Sequence, residues 1–289
     1  MPSSLTKCCP TSRQVVGTLS VGAALYYLYD TYVVGKKVVS LAVLEASDDS
    51  TTNGIIAAFK NDATFVALAQ AETSASTYVL GMKQQAWLAD GLKRSASAGK
   101  PWQVLVQQVL MGNLVTAPRL TEGLPADLPA YIRQRILAGA MAGRAELPLN
   151  MDAWDGYPAA RERVFKAALD ANANLISLAG DTHNAWAFDL DHAGEKVGVE
   201  FGVQGVTSPG LESYASYLPV DVLEREMVAH NRQLKWMDGS RRGYMAVELT
   251  PASASSEFRF VSSVREKGAG VNDTRRVSTQ AGSRALDIG

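Results

Sequence analysis

The sequence has few of the residues that build cross-linked or metal-rich scaffolds. Of its 289 residues only two are cysteines, the neighbours Cys8 and Cys9. Two adjacent cysteines near one end exclude a disulfide framework and a cysteine-rich zinc site. Histidine is scarce too: a site built from three imidazoles would need all of His183, His192 and His230.

The chain also lacks an excess of charge of either sign. It carries 28 basic and 29 acidic residues, which give a formal net charge of −1 at pH 7. Proteins that attract nucleic acid or anionic membranes through their overall field carry a basic surplus, so the composition gives no nucleic-acid-binding signal. With 47% hydrophobic and 20% charged residues, the composition is that of a folded protein. Its length suffices for one large domain with a sizeable core.

One apolar stretch raises the question of a targeting or membrane segment. Residues 15–29, VVGTLSVGAALYYLY, follow Lys7 and Arg13 and are apolar enough for the core of a signal peptide. The stretch is short for a membrane span, and no clean cleavage site follows it before Asp30. We favour one or two core strands here, and a membrane tether through residues 15–34 is the alternative.

The middle of the chain alternates between helical and strand patterns. Residues 81–95, 127–143 and 156–173 have apolar side chains at helical spacing. Residues 102–111 and the stretch that begins at Asn174 are apolar runs typical of buried strands. Helices between such strands indicate α/β layering with parallel neighbours.

The C-terminal third predicts antiparallel strands. We expect them in residues 196–210 and, later, in GYMAVELTP and SEFRFVSSV. From Lys267 onward the chain is polar and rich in Gly, Ser and Thr, which predicts a frayed end. We therefore expect a single domain in residues 1–266, followed by a flexible tail in residues 267–289.

The segment NLISLAGDTHNAWAFDL, residues 174–190, holds the clearest candidate for a functional site. Its apolar start suits a strand buried on both faces, and ligands collect at the ends of such strands in open α/β sheets. If the chain stays extended to residue 183, side chains two positions apart point the same way, so Asp181 and His183 converge. A carboxylate and an imidazole together form a plausible pair of metal ligands. The alternative is turn chemistry after Gly180, with a hydrogen-bonded structural histidine.

Five stretches, taken together, resemble one family. They are LGMKQQAWLADGLKRSASAGKPWQVLVQQVLM, NMDAWDGYPAARERVF, LISLAGDTHNAWAFDL, VTSPG, and RRGYMAVELTP with EFRFV. They occur in the order and spacing of the alkaline phosphatase D family, the PhoD-like metallophosphatases. The resemblance covers roughly residues 15–266. Single pieces are weak signals, whereas five in register are specific.

The resemblance implies a fold, a chemistry and a location. The family's fold is a metallophosphoesterase sandwich, two sheets flanked by helices, so the fold class expected here is α/β. Its members hydrolyse phosphomonoesters and phosphodiesters at a multi-metal site, commonly iron with calcium, outside the cytoplasm. The resemblance therefore implies a metal-dependent phosphoric ester hydrolase with a phosphate ester substrate, metal ions as cofactors and an extracytoplasmic location.

Matching motifs carry the family's site residues onto this chain. GDTH corresponds to the family's last metal-binding motif, which implies that Asp181 and His183 are metal ligands. DAWDGYP resembles the family's loop beside the active centre, and the Gln that follows WQVLVQ matches a strand-end Gln of the family. The substrate-pocket residues implied in this way are Trp154, Asp155, Tyr157 and Gln108. The alternative for Trp154 and Tyr157 is that they pack the start of a helix.

Other motifs of the family have no counterpart in the sequence. These are an acidic or Cys-bearing ligand strand, a second Gly-Asp pair and a Trp-Asp-Asp-His-Glu-like segment. We therefore expect the C-terminal part of the family domain with its N-terminal half absent. One hypothesis is a phosphatase whose missing ligands are supplied from elsewhere; the other is a truncated, non-catalytic remnant or binding module, tethered to a membrane through residues 15–34. A weaker option is that Asp48, Asp49 or Asp155 completes the site, since metal sites use three or more ligands.

Overall fold

The computed structural model describes residues 79–122, 124–144, 148–150, 153–213 and 215–289. The apolar stretch 15–34 lies outside these residues, as do Asp48 and Asp49. Within the described ranges, no helix has both the length and the apolar character needed to cross a bilayer.

Four helices and eight strands make up the described part of the chain. The helices are α1 (Met82–Ser97), α2 (Ala130–Arg144), α3 (Pro158–Asp170) and α4 (Val220–His230). The strands are β1 (Gln103–Gln107), β2 (Leu175–Ala179), β3 (Ala185–His192), β4 (Glu195–Gly202), β5 (Leu234–Asp238), β6 (Gly243–Leu249), β7 (Ser253–Val261) and β8 (Val271–Gln280). Short 3-10 turns cover Pro118–Thr121, Trp154–Gly156 and Leu211–Ser213.

The strands form two sheets. The large sheet has the order β1-β2-β4-β3-β5, in which β1, β2 and β4 are parallel and β3 is antiparallel to both of its neighbours. The small sheet is the antiparallel meander β6-β7-β8. Because β1 and β2 are parallel neighbours, their carboxyl ends lie at the same edge of the large sheet. The residues that follow each of these strands therefore meet there.

Two apolar cores hold the layers together. Alternate residues of β2 face opposite sides of the large sheet. Ile176 packs with Phe258 and Phe260 of the small sheet, whereas Leu175 belongs to a core that it shares with Phe165 of α3 and with side chains of α1 and α4. Full burial of one such side chain stabilises the fold by about 1.5–3 kcal/mol. The result is the expected α/β arrangement of two sheets flanked by helices.

α3 illustrates how the sequence sets this layering. Pro158 occupies its first turn, where the missing N–H costs no helical hydrogen bond. Ala160, Val164 and Ala168 recur at four-residue spacing and are buried in the core on the helical side of the large sheet. The helix ends before Asn172, whose φ of 50° is left-handed, and the chain turns directly into β2.

The helices and buried strands expected from the sequence are present. Residues 81–95 correspond to α1, residues 127–143 to α2 and residues 156–173 to α3. The strand expected over residues 102–111 is shorter in the structure: β1 covers Gln103–Gln107, and residues 108–111 have no regular secondary structure. Among the later strands, β6 and β7 are antiparallel as expected, whereas β4 is antiparallel to β3 but parallel to β2.

The expectation of a flexible tail in residues 267–289 is wrong. Residues 271–280 form β8, which pairs with β7 along the edge of the small sheet. Val277 and Thr279 are buried and anchor this strand, while most of its other side chains are exposed. An edge strand with one solvated face is polar in composition, so it resembled a frayed end in the sequence. The single domain over residues 1–266 stays a prediction.

Candidate functional site

The carboxyl ends of β1 and β2 meet at a small pocket. The carbonyl oxygen of Gln108 accepts hydrogen bonds from the backbone N–H groups of Gly180 (3.0 Å) and Asp181 (2.7 Å), which ties the two strand ends together. The pocket encloses about 40 Å³, enough room for a few water molecules. Asp181 and Thr182 line it after β2, and Gly112 lines it after β1. Ligands of open α/β sheets bind at this position, so we take this pocket as the candidate site.

Asp181 and His183 lie in a turn. β2 ends at Ala179, residues 181–184 turn, and the φ of His183 is 63°. The expectation that the chain stays extended to residue 183 is therefore wrong, and strand alternation cannot bring the two groups together. Asp181 is exposed at the pocket, whereas His183 is half-buried and lies outside the pocket's described lining. The assignment of both residues as metal ligands stays a prediction.

The ring of His183 is oriented by a backbone carbonyl. Its Nδ1 lies 2.9 Å from the carbonyl oxygen of Pro209. Because a carbonyl only accepts, Nδ1 carries the proton of the neutral ring and Nε2 keeps its lone pair. Metal-bound histidines are commonly fixed in this way, with one ring N–H donated to a carbonyl. The contact therefore leaves Nε2 as the nitrogen that can bind a metal.

The loop of residues 209–212, which orients this ring, is itself hydrogen-bonded to the turn of residues 181–184. Asn184 accepts a hydrogen bond from the backbone N–H of Leu211 through its Oδ1 (2.9 Å). Gly210 packs so closely here that a Cβ at its position would lie 2.5 Å from Nδ2 of Asn184. Glu212 accepts the N–H of Gly210 (3.1 Å) and forms an ion pair with Arg242. The turn and the loop therefore fix each other's positions.

One wall of the pocket is residues 110–117, a largely buried segment without regular secondary structure. Several of its backbone N–H groups donate to side-chain oxygens that are distant in the sequence. The pairs are Asn113 with Gln233 (2.9 Å), Leu114 with Asp155 (3.0 Å) and Val115 with Asn231 (2.7 Å). Buried backbone groups need such partners, and side chains supply here what a neighbouring strand supplies elsewhere.

Glu200 of β4 supports the beginning of this segment. Its carboxylate is fully buried and accepts the backbone N–H groups of Met111 and Gly112. Burial raises the pKa of Glu200, while hydrogen bonds from these two amides and from the Ser177 hydroxyl act in the opposite direction. Glu200 was not expected at this site from the sequence. A lone carboxylate inside the apolar run VGVEFG was the available signal, because Glu is almost never fully buried without partners.

Asp155 supports the same segment. It is 5% exposed and accepts hydrogen bonds from Asn113 Nδ2 (2.8 Å) and from Arg161 Nη1 (2.6 Å), in addition to the Leu114 amide. Its side chain also belongs to the pocket lining. Because donors of the chain itself occupy both oxygens, the carboxylate holds the pocket wall in place. Its expected role in substrate binding stays a prediction.

The other residues expected at the substrate pocket lie around this support. Trp154 is 4% exposed, and its Nε1–H donates to Gln107 Oε1 (3.0 Å). Tyr157 immediately precedes α3 and packs against the core on the helical side. Gln108 is exposed and ties the strand ends through its carbonyl. Packing at a helix start, the alternative raised for Trp154 and Tyr157, is present, whereas substrate contact by these three residues stays a prediction.

The described residues do not hold a complete metal centre. In the part of the chain that the structure describes, no group of three or more His, Cys, Asp or Glu side chains is arranged to hold an ion. Catalytic ions are commonly held by three or more protein ligands, so Asp181 and His183 form at most a partial set. Asp155, offered by the sequence as a further ligand, has both oxygens occupied by hydrogen-bond donors.

Comparisons with known proteins agree with one another. The sequence matches the profile of the PhoD-like phosphatase family over residues 28–258. It is 29% identical over 200 residues to alkaline phosphatase D of Bacillus subtilis (strain 168), covering 67% of this chain and 28% of that protein. A solved structure of PhoD is similar in fold, with a TM-score of 0.53 and 25% identity, covering 73% of this chain and 35% of that one. The chain thus spans about a third of the length of the relatives that it matches.

Proposed function

The chain belongs to the PhoD-like phosphatase family, and on that basis we propose that it is a metal-dependent hydrolase of phosphoric esters. The observation that carries the proposal is the position of the GDTH motif, whose Asp181 opens onto the pocket at the ends of β1 and β2. Phosphomonoesters and phosphodiesters are the proposed substrates. The family resemblance also supports an extracytoplasmic location.

Asp181 and His183 are the proposed metal ligands in this part of the chain. The carboxylate of Asp181 is exposed, and the contact between His183 and Pro209 leaves Nε2 available. Carboxylate oxygens suit calcium, and a mixed set of oxygen and imidazole nitrogen suits iron, so we propose iron together with calcium. The remaining ligands would come from outside the described residues or from another chain.

The pocket's own residues contribute position and rigidity. Phosphate esters repel an anionic nucleophile, so their hydrolysis depends mainly on charge neutralisation and positioning. Metal ions, when bound, supply positive charge and lower the pKa of a coordinated water toward ~7. The chain holds two walls of the pocket in fixed positions: residues 110–117, through Asp155 and Glu200, and the turn 181–184, through its contacts with the loop at Gly210.

Matched variants test this proposal. The purified chain is loaded with iron and calcium and assayed with p-nitrophenyl phosphate and bis(p-nitrophenyl) phosphate. Asp181→Ala and His183→Ala should each lose more than the ~10–100-fold that removal of a supporting residue typically costs, because they remove ligands directly. Asp221→Ala removes an exposed carboxylate of α4 and should keep the parent's activity. Equal background rates in the parent and in all three variants would refute the proposed hydrolase activity.

A second candidate is a non-catalytic binding module of the same fold. The incomplete ligand set among the described residues favours it. Such a module would bind inorganic phosphate or a phosphate ester in the presence of metal and would not turn the ester over. Titration calorimetry with inorganic phosphate, run beside the hydrolysis assay, separates the two: heat of binding without hydrolysis supports the module.

A further inference from the structure

We propose that Glu200 is a positioning residue of the pocket, because its carboxylate holds the backbone at Met111 and Gly112 in the conformation that forms the pocket wall. The activity readout of this inference rests on the function proposed above, whereas its structural readout does not. Glu200 lies on β4, a central strand of the large sheet between β2 and β3. Because β4 is hydrogen-bonded to a strand on each side, the backbone of Glu200 is held rigidly in the sheet.

Three donor groups converge on this carboxylate. Oε1 accepts the N–H of Met111 (2.9 Å) and the hydroxyl of Ser177 (2.8 Å), while Oε2 accepts the N–H of Gly112 (2.8 Å) and shares that of Met111 (3.0 Å). Both oxygens must therefore act as acceptors. A glutamine could supply only one such oxygen, since its NH₂ group would face an N–H donor.

A relay of hydrogen bonds fixes the direction of these contacts. The indole Nε1–H of Trp154 donates to Gln107 Oε1 (3.0 Å), which orients the Gln107 amide. Gln107 Nε2 then donates to Ser177 Oγ (3.3 Å), and the Ser177 hydroxyl donates to Glu200 (2.8 Å). Because an indole can only donate, each later group in the relay points its donor toward Glu200. The relay explains how Trp154, distant from β4 in the sequence, contributes to the same wall.

Gly112 is held from a second side by an aromatic ring. Phe188 lies opposite Glu200 in the register of β3 and β4. A Cβ on Gly112 would lie 2.5 Å from Cδ1 of Phe188, so the ring packs directly against the glycine backbone. Two neighbouring residues of the sheet therefore fix one pocket-lining residue: Phe188 by packing and Glu200 by its hydrogen bond.

Burying a charged carboxylate at this position costs free energy of folding, which burying an apolar residue would not. Burial disfavours its charged form, which is why the pKa of Glu200 is raised despite its donors. Replacing buried ionised groups by well-packed apolar residues is often neutral or stabilising for a fold. Stability alone therefore does not account for the carboxylate, whereas the need to fix two consecutive amides does.

Hydrogen exchange tests the inference without depending on catalysis. In Glu200→Gln, the amides of Met111 and Gly112 should exchange at least tenfold faster than in the parent. The amides of Val199 and Phe201, which flank the substitution within β4, should change little. This local pattern distinguishes loss of a positioned segment from general loss of stability.

Asp238→Asn is the matched control. Asp238 is also a buried carboxylate, 4% exposed, and it also accepts two consecutive backbone amides, those of Ser240 (3.1 Å) and Arg241 (2.8 Å). This variant should accelerate exchange at Ser240 and Arg241 and leave Met111 and Gly112 unchanged. If the parent hydrolyses p-nitrophenyl phosphate, kcat/KM should fall at least tenfold in Glu200→Gln and should be retained in Asp238→Asn.

Two results would overturn the inference. One is exchange at Met111 and Gly112 within twofold of the parent rate in Glu200→Gln. The other is equal acceleration of all amides, because that would make Glu200 a general stabilising residue. If Glu200→Gln folds too poorly to assay, Glu200→Asp carries the same expectation, since it retains the charge but withdraws the carboxylate by one methylene. An inactive parent refutes the proposed function and leaves the exchange result as the test of positioning.

Discussion

Replacing Asp155 by asparagine removes one charge from the support of the pocket wall and keeps the size of the side chain. Oδ1 of Asp155 accepts Arg161 Nη1 and Asn113 Nδ2, and Oδ2 accepts the Leu114 amide. Asparagine retains a single acceptor oxygen, so its NH₂ group must face at least one of these donors. The substitution therefore leaves a buried donor without an acceptor.

The magnitude follows from the burial of the pair. The side chains of Asp155 and Arg161 are only 5% and 13% exposed, so water cannot replace the lost contacts. A hydrogen bond to a charged group contributes about 1.5–3 kcal/mol, and removing one partner of a buried ion pair costs about 3–5 kcal/mol. Because one acceptor remains, we expect Asp155→Asn to lower the free energy of unfolding by about 3 kcal/mol, the lower end of that range.

Urea unfolding, followed by circular dichroism, measures this loss. Arg161→Met and the double variant complete a double-mutant cycle. The double variant should be less destabilised than the sum of the single variants by at least about 1 kcal/mol, because the second change removes the charge that the first leaves unpaired. Coupling of this size would show that the two groups act on each other.

A small loss of stability would refute the reasoning. If Asp155→Asn unfolds within about 1 kcal/mol of the parent, the carboxylate does not hold the pocket wall. Loss of hydrolysis at unchanged stability would instead make Asp155 a substrate or metal ligand.

Two further predictions concern the same region. Gly112→Ala places a Cβ 2.5 Å from the fully buried Phe188 ring, so it should lower the free energy of unfolding, measured by thermal unfolding, by about 1–3 kcal/mol. Gly139→Ala in α2 is the control, because the nearest contact of its Cβ is at 3.5 Å. It should leave the free energy of unfolding unchanged or raise it by up to about 1 kcal/mol. Burial works to raise the pKa of Asp191, but hydrogen bonds from Arg232 and Gln233 hold it below the ordinary 3.8. This stabilisation is present above that ordinary value and is lost as the pH falls through the lowered pKa. Asp191→Asn should therefore flatten the acid side of a pH series of urea unfolding; an acid limb identical to the parent's would contradict it.

The elements that the sequence predicts well are those with a simple burial pattern. α3 is recognisable because Ala160, Val164 and Ala168 repeat at helical spacing, and β2 because its residues are almost continuously apolar. β8 has neither signal, since only Val277 and Thr279 of its ten residues are buried. β8 is a strand because it pairs with β7, and this pairing cannot be predicted from the pattern of its own residues.

The candidate site was predictable in its position and not in its construction. Gly180 marked the end of a buried strand, and Asp181 after it does line the pocket. The left-handed backbone of His183 could not be predicted from the neighbouring residues, because His183 lies in a turn that contacts the distant loop of residues 209–212. Asp155 was expected at the pocket, but its support of residues 110–117, like that of Glu200, was not predicted, because a side chain that bonds a remote backbone group leaves no periodic pattern in the sequence.

The hydrogen bonds of residues 110–117 determine when during folding the pocket can form. The amide of Gly112 finds its acceptor 88 positions later, in Glu200, and the amide of Asn113 finds its acceptor 120 positions later, in Gln233. Contacts between remote positions close large loops and form slowly, whereas a helix such as α3 needs only its neighbours. A ribosome-bound chain can therefore form helices such as α3 well before it can form the pocket. The acceptors for the backbone N–H groups of residues 110–117 are complete only once synthesis has passed residue 233.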